Sequence, residues 1–159
     1  MSSQTRMLRN GTTIAILVLE DDCQLAAMLK AVLESCSYQV TTVQNGVQGL
    51  RCIMAEEFDL VLCDLVMPTF PGDKFYIAVE RLKPALCRRF LFMTGHSVKL
   101  EYDHFIRNIG GFMLWKPFEP RELLAAIQAV LSRARQLDVA EWSRTLPRGV
   151  PKVGTDPFR

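Results

Sequence analysis

"TIAILVLEDD", residues 13–22, sets an unbroken apolar run directly against three acids. The run does not alternate between apolar and polar positions, so it reads as a strand buried on both faces. Strands of that kind belong to parallel sheets covered by helices on either side. Glu20, Asp21 and Asp22 then end the strand with like charges, which raise one another's pKa unless a cation neutralises them.

Working outward, the same unit recurs. "QLAAMLKAVLES" (24–35) puts Leu25, Met28, Leu29, Val32 and Leu33 on one helical stripe. "YQVTTV" reads as a second strand, and "NGVQGLRCIMAEE" as a helix capped by Asn45. "FDLVLCD" (58–64) is again apolar and again ends in an acid. A Pro/Gly-rich loop, "VMPTFPGD", leads to the helix "KFYIAVERLK", which Pro84 stops. "RFLFMT" (89–94) is a fourth strand, and "SVKLEYDHFIRNIG" a weaker helix closed by Gly110 and Gly111. "FMLW" is a short fifth strand before the long helix "EPRELLAAIQAVLSRARQ". Five strand–helix units predict an α/β fold of flavodoxin-like (βα)5 type, with a doubly wound parallel sheet in the order 2-1-3-4-5.

Bulk properties narrow the function classes. The 159 residues are 49% apolar, enough for a core, and the net charge is only +2. Residues 13–131 hold 11 basic and 14 acidic groups, whereas residues 132–159 hold six basic and three acidic ones. A mildly acidic body gives no case for binding nucleic acid. No apolar run is long enough for a membrane span and no secretory leader stands at the N-terminus, so the expected compartment is the cytoplasm. The five cysteines (23, 36, 52, 63 and 87) form no CxxC pair and read as reduced, mostly buried thiols rather than a zinc site.

In an open parallel sheet, ligands bind at the carboxyl ends of the strands. Those ends carry Glu20-Asp21-Asp22, Asp64, Thr94 and Lys116. One lysine does not balance three carboxylates. A hard divalent ion with oxygen ligands does, and Mg2+ (or Mn2+) suits phosphate chemistry. An aspartate beside such an ion and a lysine can attack phosphorus and form an acyl phosphate. Taken singly, Thr94 is an ordinary β-branched strand residue, Lys116 a loop charge and Asp64 a turn residue. Four strand ends bearing complementary groups argue against the ordinary reading.

The stretches "ILVLEDD", "FDLVLCDLVMPTFPGD", "LFMTG" and "MLWKPF" resemble the response-regulator receiver domain of two-component signalling in residue type, order and spacing: 43 residues from Asp21 to Asp64, 30 to Thr94 and 22 to Lys116. The resemblance covers residues 13–136. It implies that Asp64 accepts a phosphoryl group from a histidine kinase or a histidine phosphotransfer protein. It implies further that Asp21, Asp64 and the Val66 backbone carbonyl hold the metal, with Glu20 acting through water, and that Thr94 and Lys116 contact the phosphoryl oxygens. Asp22 is expected to cap the first helix. Pro117 stands where the family has a proline whose peptide bond is commonly cis.

Two departures stand out. The family often places Tyr or Phe three residues before the lysine, as partner to the threonine in a switch; here that residue is Met113, with Phe112 sent to the opposite face. Phosphorylation is therefore expected to persist with an altered rotamer readout, unless Met113 merely fills the core. Val66, two residues after the aspartate, has no group to hold an attacking water, which predicts slow self-dephosphorylation, offset if His96 orients that water. His104 reads as a helix-face residue, Trp115 as half-buried, and Cys63 as pointing into the sheet.

The expected plan is a flexible segment 1–12, a receiver 13–136 and a basic tail 137–159 without an output domain, its Trp142 and Leu146 free to anchor it. Output would be protein binding through the fourth helix, fifth strand and fifth helix, with a homodimer as a further option. No turnover enzyme is expected: an aspartate-nucleophile phosphohydrolase generally has a second acid where Val66 stands, and needs a capping insertion. The alternative is a docking module whose acidic site is vestigial.

Overall fold

The computed structural model describes residues 13–95 and 99–145. The elements follow in the order β1 (Ala15–Leu19), α1 (Cys23–Ser35), β2 (Gln39–Val43), α2 (Gly46–Ala55), β3 (Leu60–Asp64), α3 (Gly72–Leu82), a 3-10 turn (Pro84–Arg89), β4 (Phe90–Gly95), α4 (Lys99–Ile109), β5 (Phe112–Lys116) and α5 (Pro120–Thr145). All four strand pairings are parallel, and the sheet order is β2-β1-β3-β4-β5. This is the flavodoxin-like architecture expected from the sequence.

The absence of alternation in the strands now has its cause: each strand feeds two cores. Ile16, Val18, Leu60, Leu62, Leu91 and Met93 meet Leu29 and Leu33 of α1 and Leu123, Ile127 and Val130 of α5. Leu17, Leu19, Val61, Cys63, Phe90 and Phe92 point the other way, toward Ile53 of α2 and Phe75, Tyr76 and Val79 of α3. Burying each such aliphatic or aromatic side chain stabilises the fold by about 1.5–3 kcal/mol. On the second face Phe75, Tyr76, Phe90, Phe92 and Phe105 interlock edge-to-face or tilted, with ring centroids 5.1–6.0 Å apart.

Two caps behave as the sequence suggested. Asp22 accepts hydrogen bonds from the backbone N–H groups of Gln24 and Leu25, starting α1. Asn45 accepts one from Gln48 and starts α2.

Three features differ from expectation. Residues 84–89 coil into a 3-10 turn, so Arg89, expected to open the fourth strand, ends the turn and β4 begins at Phe90. The final helix runs on to Thr145, past residue 136. Its inward stripe turns from apolar (Ile127, Val130, Leu131, Ala134) to acidic (Asp138, Glu141), and these acids meet Arg88 and Arg89 of the 3-10 turn. The helix is thus prolonged by charge pairing where apolar packing ends. Trp142 lies in this extension, 48% exposed, and Leu146 lies outside the described residues. Finally, among the cysteines only Cys63 is fully buried; Cys23 and Cys36 sit exposed at the two ends of α1.

Candidate functional site

The site forms where β1, β3, β4 and β5 end together. Because Leu19 is in register with Cys63, the next residues, Glu20 and Asp64, emerge side by side. Gly95 is in register with Lys116, so the lysine leaves the sheet one strand beyond Thr94. A parallel sheet therefore delivers four distant chain segments to one rim.

Lys116 Nζ donates to Glu20 Oε2 at 2.8 Å and to Asp64 Oδ2 at 2.7 Å. The Val66 N–H donates to Asp64 Oδ1 at 2.9 Å, and the Asp22 N–H to Glu20 Oε1 at 3.1 Å. Glu20 is 1% exposed and Asp64 4%, whereas Asp21 faces solvent at the mouth. Carboxylate oxygens of Glu20, Asp21 and Asp64 lie within 4.8 Å of one another. Burial raises the Glu20 pKa, and the Asp64 charge adds to the rise against the hydrogen bond from Lys116. For Lys116, burial acts downward, but its hydrogen bonds to Asp64 and Glu20 and their charges win and hold its pKa above the ordinary lysine value. Burial thus outweighs the lysine at hydrogen-bond distance, and the neighbouring Asp64 charge works in the same direction as burial. Three hard oxygen donors in that setting fit a divalent cation of the Mg2+ type.

Thr94 is fully buried, and its Oγ1 has no hydrogen-bond partner among the described residues. A buried hydroxyl left unsatisfied costs about 1–3 kcal/mol. It is a donor in waiting beside the pocket. The Lys116–Pro117 peptide bond is cis, as the proline in that position suggested.

The remaining sequence candidates fall as follows. Val66 is 47% exposed and its backbone reaches Asp64. Met113 is partly buried on the α3–α4 side of the sheet, and Phe112 packs on the opposite side with the Arg133 guanidinium 5.3 Å from its ring centroid. His104 is exposed near Asn108. Trp115 is half-buried, and Cys63 points into the core with its thiol pushed well up by burial. His96 lies outside the described residues.

The sequence did not disclose how the loop after Asp64 is held. Gly72 begins α3 so close to β3 that a Cβ there would stand 2.4 Å from the Asp64 carbonyl oxygen. Thr69 has φ +71°, unusual for a β-branched residue and worth about 1–3 kcal/mol of strain. The "TFPG" run signals a turn, but neither feature can be read from it.

Comparison with known proteins agrees with this geometry. The sequence profile of the response regulator receiver domain matches residues 16–128. The transcriptional regulatory protein GltR of Pseudomonas aeruginosa is 29% identical over 81% of this chain and 52% of its own length. ZraR of Escherichia coli is 30% identical over 79% of this chain and 28% of its own. The chain thus spans about half or less of the length of these curated relatives. A CheY-like receiver domain protein from Methanospirillum hungatei superposes with a TM-score of 0.72 at 28% identity, covering 79% of this chain and 99% of that one. Chemotaxis protein CheY4 of Vibrio cholerae gives 0.67 at 25% identity, covering 76% and 100%. With the profile matched over most of its length and the strand order in agreement, the chain belongs to the response regulator receiver domain family of two-component signalling.

Proposed function

We propose that the chain is a phosphoacceptor that takes a phosphoryl group onto Asp64 from the phosphohistidine of a histidine kinase or a phosphotransfer protein, in the cytoplasm. The observation that carries this reading is the position of Asp64: buried, clamped between Lys116 and the Val66 N–H, and next to two further acids. An Asp64 carboxylate oxygen attacks phosphorus as the P–N bond of the donor, protonated on its other ring nitrogen, breaks; the bonding pair stays on nitrogen, leaving neutral imidazole and an aspartyl phosphate. Asp21, Asp64 and the Val66 carbonyl would hold Mg2+, with Glu20 behind them, and the ion supplies positive charge to the transferred oxygens. Lys116, now shared between Glu20 and Asp64, turns to a phosphoryl oxygen, and the Thr94 hydroxyl gains the acceptor it lacks. Nothing beyond self-phosphorylation and its reversal is asked of the site, so it is not a turnover enzyme.

The phosphorylated state is then read by a binding partner. The surface offered for this is α4, β5 and α5, where Met113 and not an aromatic residue stands on the sheet face behind Thr94. No helix among the described residues is long and apolar enough to cross a membrane.

The test is intact mass after incubation with acetyl phosphate, with and without Mg2+. The expected result is one Mg2+-dependent phosphate adduct that Asp64→Asn abolishes. A folded protein that forms no adduct with either acetyl phosphate or a kinase, and binds no Mg2+, would leave a docking module with a vestigial site. After donor removal the adduct should decay over minutes or longer, because Val66 offers no group to position water; decay within seconds contradicts that.

A further inference from the structure

We propose that Phe70 is a positioning residue, which sets the Asp64 carboxylate through the backbone of the loop between β3 and α3; the inference rests on Asp64 being the phosphoacceptor. The loop runs from Leu65 to Pro71. At its tip Thr69 takes φ +71°, and the Phe70 N–H turns back onto the Pro68 carbonyl at 2.8 Å. A backbone so disfavoured for a β-branched residue persists only where its surroundings hold it. At its two ends the loop is tied by the Leu65 N–H to the Met93 carbonyl and by the Gly72 N–H to the Leu65 carbonyl, each at 3.0 Å. Neither bond reaches the tip.

What reaches the tip is the Phe70 ring. It lies against Gly46, the first residue of α2, where a Cβ would fall 1.7 Å from the ring's Cδ1. The three nearest atoms to that imagined Cβ all belong to Phe70, so the ring alone occupies the space a side chain would take. The ring also stands edge-on to Phe75, with centroids 6.5 Å apart and planes at 83°. Phe75 is fully buried in the core, so Phe70 is seated between the bare start of α2 and a fixed ring of α3.

The consequence runs back along the chain. Four residues before Phe70, the Val66 N–H holds Asp64 Oδ1, while Lys116 holds Oδ2. The Val66 amide thereby decides how the carboxylate is rotated and which lone pairs face outward. Phe70 acts by keeping the loop, and with it Val66, in place. Gly46 is thus a glycine for reasons of space, because α2 needs no special backbone angle there.

The experiment compares wild type with Phe70→Ala, Gly46→Ala, the double variant and the conservative Phe70→Leu. Three quantities are read: the Val66 amide resonance and its exchange protection, the Mg2+ affinity by calorimetry, and the rate of adduct formation with acetyl phosphate. Thermal melts report folding alongside. Phe70→Ala and Gly46→Ala should each shift the Val66 amide and lower its protection, and each should slow phosphorylation about tenfold while the protein stays folded. Phe70→Leu should restore most of the rate. The double variant should be no worse than Phe70→Ala alone, because the added methyl then has room. If Phe70→Ala lowers the melting temperature yet leaves the Val66 amide and the rate within twofold of wild type, the residue is only core and the proposal fails. A slowed rate with an unmoved Val66 amide overturns the route through the loop. If wild type itself forms no adduct, the proposed function fails, and the Val66 amide in Phe70→Ala still decides whether the ring sets the loop.

Discussion

Glu20 shows how a site residue works against the fold that carries it. Its carboxyl is buried, and its pKa is raised chiefly by that burial. A folded-state pKa above the unfolded value means that the folded protein holds the proton more tightly. The associated stability is therefore full below the ordinary glutamate value and is lost as pH rises through the raised one. Ionising Glu20 therefore destabilises the metal-free protein. Glu20→Gln should accordingly melt at a higher temperature than wild type at pH 7 in chelator. The gap should close as pH falls toward the usual glutamate range, where wild-type Glu20 takes up its own proton. Calorimetric titration should show weaker Mg2+ binding in the same variant. A Glu20→Gln protein that is less stable in chelator would show that the bond to Lys116 outweighs burial. At this scale the sequence was most legible, since Glu20, Asp21, Asp64, Thr94 and Lys116 could be named from strand ends alone. Phe70 could not, because its partner Gly46 lies 24 residues earlier and the contact exists only once α2 and the β3–α3 loop are packed.

At the scale of elements, α5 is the instructive case. The buried apolar stripe ends at Ala134, and the next apolar position on it, Leu137, is already 38% exposed, while the sequence reading stops the helix at Gln136. The helix continues because Arg88 and Arg89 of the 3-10 turn meet Asp138 and Glu141, and Arg89 also reaches the Asp59 carbonyl at the foot of β3. These pairs are partly exposed, so each contributes at most about 1 kcal/mol. Arg89→Ala should therefore change global stability little but fray the helix end. Hydrogen exchange of residues 137–145 should quicken, while residues 123–134 keep their protection. Uniform exchange along the helix would show that the extension holds itself without the arginines. The pairing joins residues 49 or more positions apart, and no local pattern announces it.

For the whole molecule, stability and binding are linked. A cation that binds only the folded pocket stabilises it by mass action, about 2.7 kcal/mol when its concentration is a hundred times the dissociation constant. Adding Mg2+ should raise the melting temperature by several degrees, and chelator should reverse the rise. Asp21→Asn should blunt the effect without loss of fold, since Asp21 faces solvent and the cap of α1 is Asp22. A melting temperature indifferent to Mg2+ in wild type would count against a cation in the pocket. The Phe75, Tyr76, Phe90, Phe92 and Phe105 cluster carries the α3–α4 half of the core behind this site.

The sequence by itself determined the strand–helix alternation, the parallel sheet with its 2-1-3-4-5 order, and the acids, hydroxyl and lysine gathered at one rim. It could do so because strands buried on both faces lose alternation, and because βα units place successive strand ends on one edge. Only the tertiary structure decided the seating of Phe70 on Gly46, the orphaned Thr94 hydroxyl, the charge-held extension of α5 and the sharing of Lys116 between Glu20 and Asp64. Each of these depends on the distance between segments far apart in the chain, and distance of that kind is a property of packing rather than of local pattern.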